Sequence, residues 1–330
     1  MLVNLLFPKV LTFGAFFLIL RKNGKEGDPM NPLLQEKYRV AVEKAVSQRL
    51  GERFTVSSVR ENKVSPMHAA AFFEGLLGHT PHSVFAKLGT NPFSHEQFEM
   101  EARGLTYIRE HTAVKAPHVI DVVHMGEEVL LLLEVIDAVR PETKSDFEIL
   151  GRGLASLHTV TDETCGFDFP TYLGIFRQDN TRKATWREFY GECRLLDTLK
   201  IAVEAGKMNA AECAIIEKLV GRLPMVCPEP QTFSLLHGDP WLGNLLYNGK
   251  ELVLIDCSLY YGNREIDLTT VDFFFPVSEH FFRAYEEVFP TEDGFSERAD
   301  LWKINQWLGH VALYGDKYKE KLWNAVNKYL

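Results

Sequence analysis

A chain of 330 residues, 46% hydrophobic and 25% charged, has the makeup of an ordinary globular protein, long enough to bury a core and to divide into two lobes; collagenous, disordered and disulfide-scaffold classes are excluded. The formal net charge of -9 argues against a nucleic-acid-binding surface, which needs clustered Lys and Arg to neutralise phosphates. Five cysteines, Cys165, Cys193, Cys213, Cys227 and Cys257, form no CxxC pair, so neither a zinc site nor a secreted disulfide framework is indicated, and a reducing, cytoplasmic compartment is the default.

Leu2 to Leu20 is almost wholly apolar, interrupted by Pro8 and Lys9 and followed by Arg21, Lys22 and Lys25. It is barely long enough to span a bilayer. If it did, the positive charges beyond it would keep the rest of the chain cytoplasmic; a cleaved secretory signal would carry its charges on the other side. Met30 is a candidate start. Residues 1–30 are therefore set outside the fold as an apolar leader or non-native extension, ahead of a membrane anchor.

From Pro32 to Leu50 apolar residues recur at helical spacing. Strand-like segments follow at Phe54–Val59, His68–Glu74 and Ser83–Leu88, punctuated by Gly78 and Pro81 as antiparallel strands joined by turns would be. Ser94 to about His111 reads as a helix with Ser94 as N-cap and Gln97 completing a capping box; Val119–Val123 and Val129–Ile136 read as two more strands. After Asp137 helical patterns dominate, at 146–159, 186–205, 209–222 and from 265 onward, with short strands at Phe233–Leu236, Leu245–Tyr247 and Leu252–Ile255. The expected fold is α+β and two-lobed, a small antiparallel-sheet lobe at 31–136 and a larger, mainly helical lobe at 137–330.

The strongest signal is His237-Gly238-Asp239-Pro240-Trp241-Leu242-Gly243-Asn244, followed by an apolar strand that ends on Asp256. Transfer of a phosphoryl group from ATP to an alcohol needs a carboxylate to accept the hydroxyl proton and oxygen ligands to hold Mg²⁺ against the phosphates. Asp239, Asn244 five positions on and Asp256 twelve further reproduce a kinase catalytic loop and metal-binding Asp, with Gly238 where protein kinases carry Arg. Asp239 is then the base and Asn244 and Asp256 the metal ligands, in a kinase-like fold whose acceptor is a small molecule. Taken singly, Asp and Asn are common turn residues; the conjunction with a hairpin and a strand ending in Asp is far more specific. Lys87, in Val84-Phe85-Ala86-Lys87-Leu88, matches the lysine-bearing strand of kinases. Glu101 is its expected partner, sharing a helix face with Leu105 and Ile108, with Glu99 in reserve. Glu134 and Ile136, at the end of the last strand of the first lobe, complete the expected nucleotide contacts with Ser65. The turn around Ser65 contains no glycine, whereas glycines let backbone amides approach phosphates closely.

At this point the chain resembles the fructosamine kinase family, a branch of the aminoglycoside phosphotransferase and choline kinase superfamily. The resemblance rests on Leu236-His237-Gly238-Asp239 with Trp241 and Gly243-Asn244, on Asp256 followed by Tyr261-Gly262-Asn263-Arg264-Glu265 and Asp267-Leu268, and on a middle segment with Gly153 to His158, Tyr172-Leu173-Gly174, Gln178, Asn180, Trp186 and Arg194. It runs from about residue 34 to the end. Pro240, Leu242, Cys257, Asn263 and Gly309 depart from the family pattern, as does the glycine-free turn. The resemblance implies transfer of the ATP γ-phosphate to the 3-hydroxyl of a ketosamine, a ribulosamine or fructosamine adduct on lysine, whose unstable 3-phosphate then leaves and restores the amine. It implies a sugar pocket walled by Trp241, with Trp186 and His310 as weaker candidates that could equally be core residues, and bracing of the catalytic loop by His237, Arg264 and Asp267. A monomer is expected, without a redox-controlled disulfide dimer. Two alternatives stay open: another amino alcohol or aminoglycoside-like acceptor, and a nucleotide-binding pseudokinase.

Overall fold

In the computed structural model, which describes residues 31–62 and 68–330, the first half of the chain builds one antiparallel sheet. Its strands are β1 (Phe54–Asn62), β2 (Ala69–Leu77), β3 (Thr80–Gly89), β4 (Val119–Met125) and β5 (Glu128–Glu134), in the order β1-β2-β3-β5-β4. Alternation puts Phe73, Val84, Ala86, Leu130 and Leu132 on one buried face. Helix α1 (Glu36–Leu50) covers that face with Tyr38, Val42, Ala45 and Val46. Ser65 lies outside the described residues.

Helix α2 occupies Ser94–His111, as the periodicity predicts. Its start differs in detail. The Ser94 hydroxyl accepts from the Asn91 N–H at 3.2 Å, and the Gln97 N–H donates to the Phe93 carbonyl at 3.0 Å. Ser94 thus closes the preceding turn, and the expected capping box is not formed.

The chain divides into two compact units. Of the described residues, one takes those up to Phe98 with His118–Val135, the other Glu99–Pro117 with Ile136–Leu330. The second is mainly helical: α3 (Lys144–His158), α4 (Trp186–Tyr190), α5 (Asp197–Glu204), α6 (Ala210–Val226), α7 (Glu265–Val271), α8 (Glu279–Val288), α9 (Phe295–Tyr314) and α10 (Lys319–Val326). The helical stretch expected from 265 onward is thus broken, near Pro276 and at Gly294, whose φ of 81° begins α9.

Among these helices lie β6 (Thr161–Asp162), a hairpin of β7 (Thr171–Leu173) and β8 (Phe176–Gln178), then β9 (Phe233–Leu236), β10 (Leu245–Tyr247), β11 (Leu252–Leu254) and β12 (Tyr260–Gly262). Strand β9 is central in the sheet β12-β9-β6, and β10 pairs with β11. Leu236 pairs with Tyr260, and Leu245 with Leu254. These two ladders hold the loop 237–244 beside the turn 255–259. The mixed helix and strand content gives an α+β fold. Among the described residues no helix is long and apolar enough to cross a membrane; Leu2 to Leu20 lies outside them.

Candidate active site

The loop leaves β9 through His237, which is fully buried. Its Nε2 lies 3.0 Å from the Ile255 carbonyl, and its Nδ1 accepts the Asp239 N–H at 3.2 Å. A carbonyl demands a donor and an N–H demands an acceptor, so this ring is the neutral Nε2–H tautomer. Burial also pushes its pKa below the ordinary imidazole value. Gly238 has a φ of 84°, and a Cβ there would sit 2.3 Å from the Ser258 carbonyl oxygen. Only glycine fits so close an approach in that conformation.

Asp267, on α7 and fully buried, takes the loop's backbone donors. Its Oδ2 accepts the His237 N–H at 2.7 Å and its Oδ1 the Gly238 N–H at 3.0 Å. The same Oδ2 lies 3.1 Å from His158 Nε2. His158 Nδ1 lies 2.7 Å from the Tyr285 hydroxyl, which accepts from Arg264 Nη1 at 3.0 Å. The chain has one sense of donation: Arg264 to Tyr285, Tyr285 to His158, His158 to Asp267. Burial holds the His158 pKa below its ordinary value, consistent with a neutral ring. Arg264 does not hydrogen-bond the loop itself. It reaches the carbonyls of Phe289 and Pro290 and stacks on Phe289, because α8 ends against it, so the direct bracing expected of Arg264 is corrected to an indirect one. From sequence His158 enters only as the end of the Gly153 to His158 segment, without a role, and Tyr285 not at all; the pairing of residues 127 apart leaves no local pattern, although His158 closes an otherwise apolar helix face.

Asp239 is held next to Asn244. The Asn244 amide nitrogen lies 3.0 Å from the Asp239 carbonyl oxygen and 3.1 Å from its Oδ2, while Asn244 N–H closes the turn on Trp241 O at 2.8 Å. With its NH₂ turned to Asp239, Asn244 has its amide oxygen left for a cation. Burial, and then the charges of Asp256 and Asp267, push the Asp239 carboxyl well above the usual carboxylate range. Asp256 is exposed, and its φ of 54° makes it the one non-glycine residue of positive φ among those described. Two hard oxygen donors beside concentrated negative charge fit a divalent cation that takes its remaining ligands from phosphates and water.

On the other side of the loop Trp241 folds over Gly243, where a Cβ would lie 2.0 Å from the indole. Trp241 meets Phe274 edge-on at 5.9 Å, and Phe274 meets His310 at 5.7 Å. Phe273, Trp307, Tyr314 and Tyr318 also surround the His310 ring. Trp241 and His310 therefore join one aromatic cluster through Phe274. Trp186 does not: it is fully buried, stacked on Tyr190 and Phe189 and packed against Trp302. Its helix turns it inward, and it is a core aromatic rather than a pocket wall.

In the first unit Lys87 is buried on β3, 7% exposed, with its Nζ 5.7 Å from the Phe98 ring centroid. Glu134 pairs with Val84 and accepts the His118 N–H on its carboxylate at 2.9 Å. In the second unit Glu101 is buried and Ile136 accepts the Ala138 N–H on its carbonyl at 2.8 Å, while Glu99, the reserve partner, is exposed.

An α+β fold with a glycine-turned HGD loop, an asparagine bonded to its carboxylate and an aspartate beyond the hairpin defines a phosphotransferase of the kinase-like class. Comparison with known proteins narrows the class. The profile of the family Fructosamine kinase matches residues 39–330. A probable ketoamine kinase of Vibrio parahaemolyticus is 30% identical over 245 residues, 74% of this chain and 84% of that one. A chloroplastic protein-ribulosamine 3-kinase of Arabidopsis thaliana is 32% identical over 244 residues, 71% of this chain and 72% of that one. A crystal structure from Thermobifida fusca, described as a putative fructosamine-3-kinase, superposes with a TM-score of 0.75 at 29% identity, covering 88% of this chain and 98% of that one. The chain belongs to the fructosamine kinase family, and so to the kinases that use a nucleotide as phosphoryl donor.

Proposed function

We propose that this kinase transfers the γ-phosphoryl group of ATP to the 3-hydroxyl of a ketosamine, a ribulosamine or fructosamine adduct on a lysine amine. The observation that carries the reading is the loop geometry: Asp239 fixed at both ends, by Asn244 on its carboxylate and by His237 on its N–H, on a turn clamped by Asp267.

Asp239 would accept the hydroxyl proton as the substrate oxygen bonds to the γ-phosphorus and the bond to the ADP oxygen breaks. Asn244 and Asp256 would hold Mg²⁺, which when bound neutralises phosphate charge. The roles of Lys87, Glu101, Glu134 and Ile136 toward the nucleotide are proposed on the kinase motif alone. Trp241 and His310, joined through Phe274, would face the sugar, since aromatic faces suit the C–H surface of a carbohydrate and the cationic amine beside it. Loss of the 3-phosphate would release the amine and complete deglycation. The relatives named ketoamine kinase and ribulosamine 3-kinase support this acceptor class.

The test follows ADP release by the chain with Mg-ATP and a ribulosamine or fructosamine of lysine. Release that requires a ketosamine is expected, and the ratio of the two rates assigns the sugar. Turnover confined to other amino alcohols would overturn the acceptor. ATP binding with no turnover on any acceptor would favour a pseudokinase.

A further inference from the structure

The helical segment from Trp186 to Glu204 contains a π-helical stretch, Gly191–Leu196, an irregularity frequent at functional sites. Arg194 lies within it, only 1% exposed. Burying a guanidinium is costly unless a carboxylate faces it. The Arg194 charge acts on the nearby Asp179 and Asp197 carboxylates, but its hydrogen bonds go to neutral oxygens: Nη1 donates to the Asp179 and Cys193 carbonyls, each at 2.8 Å, and Nη2 to Asn180 Oδ1 at 2.7 Å. Its Cζ stacks 4.0 Å from the Tyr260 ring centroid and 4.5 Å from that of Phe189, and its Nε is left without a hydrogen-bond acceptor.

What this arrangement supplies is a direction. A guanidinium can only donate, so it fixes the oxygen end of the Asn180 amide toward itself. The amide nitrogen must then face Thr171 Oγ1 at 3.0 Å, the Phe169 carbonyl at 3.1 Å and the Leu259 carbonyl at 3.3 Å. Leu259 lies three residues beyond Asp256. The same turn is tied a second time, for the Ser258 hydroxyl donates to the Tyr172 carbonyl on the β7–β8 hairpin, and Ser258 N–H donates to His237 O at 2.8 Å. Asp256 itself sits at a left-handed φ of 54°, uncommon for a non-glycine residue though tolerated by Asp, so the backbone around it sets where its carboxylate points.

We propose that Arg194 is a positioning residue for the metal-bearing turn: through Asn180 and the hairpin beside it, it fixes the backbone that aims the Asp256 carboxylate at the divalent cation of the nucleotide. The proposal rests on Asp256 being a metal ligand, as read above.

The experiment measures Mn²⁺ binding to the full chain in the presence of ADP by electron paramagnetic resonance, for wild type, Arg194→Lys, Ser258→Ala and Asp256→Asn, with circular dichroism to establish that each is folded. Arg194→Lys keeps the charge and loses the fork. The expected result is a Mn²⁺ dissociation constant raised about tenfold in Arg194→Lys, a smaller rise in Ser258→Ala, and a lowered kcat with the acceptor KM unmoved. A folded Arg194→Lys that binds Mn²⁺ as wild type does would reduce Arg194 to a structural role and overturn the proposal. Should that variant not fold, unchanged Mn²⁺ binding in Ser258→Ala would overturn it equally. Unchanged binding in Asp256→Asn would sink the ligand assignment itself, and with it the proposal.

Discussion

Each of the two units has its own kind of internal support. In the first, a sheet and a helix meet over side chains such as Phe73, Val84, Leu130 and Leu132, all fully buried and all apolar. In the second, the strands around the catalytic loop are fixed by buried polar groups that point at one another: His158, His237, Asp267, Arg194 and Asn180. An apolar core loses stability in proportion to the volume removed. A polar network loses direction when one member changes, because each partner fixes the orientation of the next.

Asp239→Asn separates site from scaffold most sharply. If Asp239 is the base, turnover should fall by about 10³-fold while the melting temperature stays near that of wild type and ATP still binds in a calorimetric titration. A variant that unfolds, or one that turns over normally, would remove the distinction between site and scaffold.

Asp267→Asn should act on both function and stability. It places an NH₂ where the carboxylate accepts from His237, Gly238 or His158, leaving buried donors facing a donor at a cost of about 3 kcal/mol. Chemical denaturation should show that loss, and kcat of the folded fraction should fall as well. Leu130→Ala is the converse case. It should cost about 3 kcal/mol through the cavity it leaves, with the specific activity of the folded fraction unchanged.

The smallest effect concerns pH. The folded-state pKa of His158 lies below its ordinary value of 6.5, so below about pH 6.5 the unfolded chain takes up a proton that the folded chain refuses. Stability from this group is therefore full above that pH and is lost as the pH falls. His237 and His310 are shifted in the same direction by burial. The melting temperature should decline from pH 7 toward pH 5, and the decline should be shallower in His158→Gln, which keeps a donor for Asp267. An unchanged slope in that variant would show that His158 does not contribute.

Much of this was legible in the sequence where the signal is local. Strands 233–236 and 245–247 and helix 94–111 fall where turn residues and periodicity place them, and the spacing of His237, Asp239, Asn244 and Asp256 brings out the loop without any tertiary knowledge. What escaped is what depends on distant partners. Strand β6 is two residues long and exists because Ser234 and Phe233 pair with it. Trp186 reads as a pocket candidate until the helix shows which way it faces. Arg264 reads as a brace for the loop, yet its guanidinium donates to the carbonyls at the end of α8. Ser94 has the residue type of a cap, but the preceding turn takes its hydroxyl first.

If Asp239 directs phosphoryl transfer to one hydroxyl of a ketosamine, as proposed, the position of the phosphate in the product is the decisive readout. Phosphorus–proton correlation spectra of the product formed from a lysine ketosamine should place the new phosphate on the 3-oxygen, with no product from Asp239→Asn. Phosphate on another hydroxyl, or ATP hydrolysed without a phosphorylated sugar, would contradict it.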